Sequence, residues 1–310
     1  MDTLTNFKWS NLFNNLYYML TRNLTSDMQQ NGLRQEILYL QAISLAAPWA
    51  DLFAHEIKFL REEGFSALPY PQIRSLAFVE SGQCTSTGLP FVVHSGKRLY
   101  FPKSYSLQKV EGVYRRYIER ECLLGGGFTE KAPHQYETDT FHVRSGDVVV
   151  DAGAAEGLFA LDMLEKAHRI YVVECDPLWH QALRATFAPY ADKVELIERR
   201  LAQHDTRQSI RLDTLLKHDC AAGFFVKMDI EGAEVPVVEA SQPFLTREQS
   251  VRLCCCAYHR QDDAQRLESF FHRIGYKTKR SEGYILYSSD ARQRSPYFRP
   301  GLVRAWRQVT

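Results

Sequence analysis

VVVDAGAAEGLFALDML, residues 148–164, begins as an unbroken apolar strand, passes through a run of small residues and continues as an amphipathic helix. Apolar runs without alternation belong to strands buried on both faces. The stretch therefore opens an α/β sheet, and ligands of such sheets lie at the carboxyl ends of the strands. Asp151 precedes the turn and Glu156 sits inside it. A dinucleotide turn needs a second glycine so that the backbone can approach a pyrophosphate. Counting from Gly153, that position is Ala155, and the third glycine would be Leu158. Phosphate also wants an empty, electropositive helix N-terminus, and Glu156 stands there. No Gly-Lys-Ser/Thr follows, which removes a P-loop. NAD fits this turn poorly. S-adenosylmethionine has no phosphate and carries a sulfonium beside an amino group, so carboxylates at Asp151 and Glu156 suit it.

Downstream the same grammar repeats. RIYVVECD, KVELIE, GFFVKMD and SVRLCCCAY read as further buried strands separated by helical segments such as PLWHQALRATFAPY and DAQRLESFFHRIG. Apolar strands alternating with helices mean a mostly parallel sheet covered on both faces. The closing segment YKTKRSEGYILYSS reads as a hairpin over 276–288, which brings the sheet to seven strands, one antiparallel. Glu174 ends the second strand about 20 residues after the first glycine, where an acid can take both ribose hydroxyls. Cys175 follows it. The tail SPYFRPGLVRAWRQVT reads as a solvated basic surface segment.

Upstream, residues 4–63 are mainly helical in their apolar spacing. Gly64 and the pair Pro69 and Pro71 mark a linker. LPFVVHSGKRLYFP is a hairpin turning at Ser95-Gly96, and SLQKVEGVYRRYIERECLL is a helix ending at Gly125-Gly126-Gly127. The expected division is an N-terminal helical and hairpin region, 1–130, and a cofactor domain, 131–310. The chain has 310 residues, with 38 Lys+Arg against 37 Asp+Glu and a formal net charge of +1. That balance gives no reason to expect nucleic acid as a partner. No basic n-region with an apolar stretch opens the chain and no apolar run approaches a membrane span, so a cytoplasmic protein is the expectation. Cys254, Cys255 and Cys256 alternate faces on a strand and cannot jointly hold one metal. No standard metal-ligand spacing occurs elsewhere.

The fourth strand carries the densest chemistry. FFVKMDIEGAEV places Lys227, Asp229, Glu231 and Glu234 at a strand end and the turn after it. Charges following an apolar run are expensive to bury unpaired, so they belong at a ligand-facing tip, with Lys227 paired to a carboxylate. VVVDAGAAEGLFAL, VVECDP, RLDTLL, VKMDIEGAEV and AYHRQDDAQRLESFFHRIGY resemble the successive motifs of the FkbM family of S-adenosylmethionine-dependent methyltransferases. The most specific is Lys-x-Asp-x-Glu-Gly-x-Glu, carried here by Lys227, Asp229, Glu231, Gly232 and Glu234. The resemblance covers roughly 136–288. It implies a Rossmann-like, doubly wound, seven-stranded class I methyltransferase sheet and an O-methyl transfer to a hydroxyl of a sugar, glycan or similar natural product.

The cofactor-binding set expected from turn and strand ends is Asp151, Gly153, Ala154, Glu156, Gly157, Glu174, Cys175 and Asp229, with Tyr136 from APHQYETDTF closing the methionine end. Glu137 is a neighbour in that role. The expected catalytic group is His259, just past the fifth strand, with Asp229 and Glu231. A sugar hydroxyl benefits from a general base within hydrogen-bond reach, and histidine titrates near neutrality. Two other readings stay open: a non-catalytic binding module on the same fold, and an NAD-dependent oxidoreductase, which Ala155 and Glu156 disfavour.

Overall fold

The computed structural model describes residues 27–71, 76, 78–125, 131–248, 250–290 and 292–307. The expected helical stretch NLFNNLYYMLTRNL lies outside them. Helices α1 (Asp27–Ile43), α2 (Trp49–Leu52) and α3 (Ala54–Glu63) come first. Gly64 ends α3 at φ +82°, donating its N–H to Leu60 O. Strands β1 (Ser81–Gln83), β2 (Pro90–His94) and β3 (Lys97–Tyr100) form an antiparallel sheet. Between β2 and β3, Ser95 and Gly96 both take positive φ, 49° and 77°, which matches the twist of a two-residue hairpin. Helix α4 (Leu107–Arg115) is capped by Ser106, whose hydroxyl accepts from Lys109 N at 3.2 Å. It continues as a π-helical turn, Arg116–Glu121, stopped by Cys122 in the left-handed region.

The main sheet is built from β4 (Val148–Ala152), β5 (Arg169–Val173), β6 (Val194–Ile197), β9 (Phe224–Met228), β10 (Val251–Cys256), β11 (Lys277–Arg280) and β14 (Leu302–Trp306). Helices α5 (Leu158–Asp162), α6 (Pro177–Phe187), α7 (Leu212–Leu215), α8 (Glu234–Ala240), α9 (Gln242–Arg247) and α10 (Asp263–Arg273) connect them. The short pairs β7 (Arg200–Leu201) with β8 (Ser209–Ile210), and β12 (Tyr284–Leu286) with β13 (Phe298–Pro300), stand apart. The order across the sheet is β11-β14-β10-β9-β4-β5-β6. The five strands from β10 to β6 run parallel and β14 runs antiparallel to both its neighbours. This is the Rossmann-like class I methyltransferase sheet that the motif order implies. Every residue of β4, β9 and β10 is buried, which is why these strands read as continuous apolar runs. Alternation sorts the three cysteines as expected: Cys254 and Cys256 join the core under one face, Cys255 the core under the other.

Two expectations fail at the sheet edge. The segment 276–288 does not close on itself as a hairpin. Its first strand, β11, pairs with β14, and its second, β12, pairs with β13. The tail read as a solvated surface is therefore an inner strand, with Leu302, Val303 and Ala305 fully buried. Its arginines misled because they are buried with partners. Arg299, 1% exposed, donates to Tyr258 O at 2.8 Å, to His259 O at 3.0 Å and to Asp290 at 2.8 Å. Arg304 donates to the carbonyls of Gln135 and Tyr136.

The N-terminal elements meet the rest of the described chain at several places. Leu38, Ala42, Phe53, Ile57 and Leu60 of the helical part pack on Leu286, Tyr297 and Phe298 of the β12–β13 pair. The three-stranded sheet leans on α6, where Tyr100 N donates to Thr186 Oγ1 at 3.0 Å. The π-helical turn after α4 delivers Glu121 to the carboxyl ends of β9 and β10, as its contacts below show.

Candidate active site

The turn after β4 is held by backbone and by two buried charges. Gly153 takes φ +70°, and a Cβ there would lie 1.7 Å from Asp229 O. Glycine is required because the β4 and β9 turns touch. Gly157, at φ +84°, lies against Phe187 and Leu183 of α6, and Ala154 is buried beside it. Asp151 is 1% exposed and forms an ion pair with Lys227 Nζ at 3.0 Å, while its other oxygen accepts from Ala160 N at 3.2 Å. Lys227 also donates to Gly153 O at 2.7 Å. Both oxygens of Asp151 are thus committed to the protein: the expected ligand carboxylate is a brace for the turn. Burial opposes a charged Lys227, but Asp151 and Asp229 outweigh it and raise its pKa.

Glu156 is also buried, and burial pushes its pKa up to about 7. It is therefore only partly charged near neutrality. Glu174 ends β5 and hooks two backbone amides, accepting from Ala155 N at 2.9 Å and Asp176 N at 2.7 Å. Each of its oxygens keeps a second lone pair for another donor. Cys175 is exposed at the same rim. Glu137 is turned away: it accepts from Val143 N at 2.6 Å and pairs with Lys166 at 3.2 Å.

Asp229, at the tip of β9, is the centre of a chain of alternating charges. On one side His134 Nε2 lies 3.4 Å from its Oδ2, and His134 Nδ1 lies 3.3 Å from Glu121, which pairs with Arg116 at 3.2 Å. On the other side His259 Nε2 lies 3.5 Å from Oδ1, and His259 Nδ1 lies 3.1 Å from Glu234. Two phenols complete the surround, Tyr136 donating to Oδ2 at 3.4 Å and Tyr258 to Oδ1 at 3.2 Å. Burial would raise the carboxyl pKa, but His134, Lys227 and His259 together hold it well below the usual range. Burial likewise opposes charge on His134, yet Asp229 and Glu121 push it up to about 9. His259 is raised too, its burial outweighed by Glu234, Asp229 and Glu231. The His134 ring is cationic near neutrality.

Of the expected catalytic set, Asp229 and His259 meet directly, and Glu231 lies 3.6 Å from His259 Nε2 while remaining 82% exposed. Glu231 sits at φ +57° and is touched by the hydroxyl of Tyr287 at 3.3 Å. Sequence reading missed His134, Glu121, Tyr258 and Tyr287. His134 stood in APHQYETDTF beside Tyr136, and Tyr258 stood next to His259; each was legible as a neighbour of a chosen residue. Glu121 carried no signal, since only the π-helical turn aims it here. Two sets of three donors, His134 with Asp229 and Cys256, and Asp229 with Glu234 and His259, lie within 4.8 Å. They come from distant segments, which is why no ligand spacing shows in sequence. Within them Asp229 meets His134 and His259, and Glu234 meets His259, as ion pairs, while Cys256 Sγ lies 3.4 Å from His134 Nε2.

No family model matches the chain, and no curated protein matches it. Among solved structures, the methyltransferase FkbM of Methylobacillus flagellatus KT is 20% identical, the match covering 52% of this chain and 43% of that one at a TM-score of 0.41. The chain thus spans less than half of that protein's length. The precorrin-6y C5,15-methyltransferase of Geobacter metallireducens GS-15 is 14% identical over 54% of this chain and 84% of its own, TM-score 0.36. SMU.1697c of Streptococcus mutans, solved in complex with SAH, is 13% identical over 54% and 91%, TM-score 0.34. At these identities the chemistry has to be read from the residues themselves.

Proposed function

We propose that this protein is an S-adenosylmethionine-dependent O-methyltransferase acting on a hydroxyl of a sugar, glycan or similar small natural product. One observation carries the reading: the carboxyl ends of β4, β5 and β9 present a glycine turn, a ribose-type carboxylate at Glu174 and a buffered carboxylate at Asp229, with no phosphate-binding group among them. That donor set fits a cationic, phosphate-free cofactor. Glu174 would hold the ribose hydroxyls, the turn at 153–157 the adenosine side, and Asp229 with Tyr136 the methionine end. When bound, the cofactor supplies an electrophilic methyl group on a sulfonium.

The chain's own residues then have to fix the acceptor and take its proton. Exposed Glu231, 3.6 Å from His259, and the half-buried Tyr287 that touches both would orient the hydroxyl. Asp229 is too acidic to serve as base. His259 is a base once it loses its own proton, and Glu234 behind it holds the ring in place. Because its pKa is raised, turnover should climb with pH above the ordinary histidine range. The acidic limb should disappear in His259→Ala, with a loss of about 10² to 10⁴ in rate and a few-fold change at most in cofactor affinity. A His259→Ala enzyme that keeps full rate and profile would move the base elsewhere. Cofactor identity is checked by calorimetry with S-adenosylhomocysteine and with NAD. Binding of the first and not the second is expected, and Glu174→Gln should weaken it by about 1.5–3 kcal/mol. Heat with NAD alone sinks the proposal.

A further inference from the structure

At the opposite end of the sheet a cleft of about 800 Å³ opens beside β11, β14 and the start of β10, within the size range of small-molecule sites. Six cationic side chains line it against two carboxylates, Asp139 and Glu282. Strand register explains how they gather. Lys279 lies opposite Arg304, and Lys277 and Arg252 both lie opposite Trp306. Directly paired residues of neighbouring strands share a face, so these residues form two rows on one side of the sheet. Like charges placed opposite each other destabilise a strand pair. Arg144 and Arg307 add to the same field from the rim.

Arg252 is buried, and its guanidinium is only partly used: one amino group meets Asp147 at 2.7 Å and the other donates to His142 O at 3.0 Å. Its Nε is buried with no hydrogen-bond partner. The buried Nε is closed off from the cleft, so an acceptor has to meet the exposed cations of the wall, and clustered arginine and lysine suit one with several oxygens such as phosphate. Trp306, half-buried against Phe141, supplies aromatic surface within the same cleft.

We propose that this cleft binds a nucleoside phosphate, with the phosphates on the Arg144 and Lys279 side and the ring on Trp306. The cleft opens at the amino ends of β10 and β11, and the candidate active site lies at the carboxyl ends of the parallel strands. The experiment is calorimetry on the full chain at low salt with inorganic pyrophosphate and with ADP. Both should bind, ADP at least three-fold more tightly. Arg144→Glu combined with Lys279→Glu should weaken both at least ten-fold, and Trp306→Ala should weaken ADP alone. Arg144 and Lys279 are exposed, so the fold should survive, and the milder pair Arg144→Gln and Lys279→Gln should give an intermediate loss. Absence of pyrophosphate binding overturns the proposal, as does unchanged binding in the double variant. So does ADP binding that Glu174→Gln abolishes while the double variant leaves it intact, since that places ADP at the opposite end.

Discussion

Asp229 is a carboxylate between two histidine rings, and its environment makes a pH prediction. His134 has a folded pKa of about 9, above its unfolded value of about 6.5. Its stabilising effect is therefore complete below about pH 6.5 and is lost as pH rises through 9. A rise of that size corresponds to a few kcal/mol at most. Urea midpoints followed from pH 6 to 10 should fall across this window. His134→Gln should be less stable at pH 6 and should show a flatter profile; an equally steep fall in the variant would remove His134 as the cause. Glycines give a second test at this scale. Gly153→Ala places a Cβ against the Asp229 carbonyl, and backbone cannot step aside as a side chain can. A loss of at least about 3 kcal/mol is expected, more than the 1–2 kcal/mol of a left-handed residue alone. Gly96→Ala, at φ +77° with open space around it, should cost only that smaller amount. Equal melting temperatures for the two variants would show that the β4–β9 contact is not rigid.

Elements were legible where one physical signal dominated. The parallel strands announced themselves because burial on both faces leaves no alternation, and the Ser95-Gly96 hairpin because two positive φ values need particular residues. The strand β14 was not legible, since arginine at positions 299 and 304 reads as solvent-facing until its carbonyl partners are known. In the site, Lys227, Asp229, Glu234 and His259 were legible as charges after apolar runs. Glu121 was not, because nothing local says that α4 will end in a π-helical turn. Arg299 permits a direct check. Arg299→Ala would leave the carbonyls of Tyr258 and His259 without their donor, at about 1–3 kcal/mol for such groups. It should also loosen His259. Chemical denaturation should show the loss, and Arg299→Lys should restore only part of it because one ammonium cannot reproduce a planar fork. Full stability in the alanine variant would mean that water replaces the guanidinium at no penalty.

Across the whole molecule the near-zero net charge conceals a separation. At the carboxyl ends of the strands Asp229 and Glu234 are paired with histidines in buried contacts, whereas in the cleft six cations meet two carboxylates. Exposed charges are screened within about 10 Å at 0.1 M salt, buried pairs much less. Raising salt from about 0.05 to 0.5 M should therefore weaken pyrophosphate binding ten-fold or more and change S-adenosylhomocysteine binding by less than two-fold, read by the same calorimetry. Comparable losses for both would mean that both ends act through exposed charge. The position of β14 bears on how the molecule is made. It enters between β10 and β11, two strands that precede it in the chain and share no hydrogen bonds with each other. During synthesis, until residues 302–306 are available, β10 lacks its partner on that side and β11 has no sheet partner at all. For that interval two strand edges face water, so a translational pause after residue 280 should expose the nascent chain to aggregation and to chaperones.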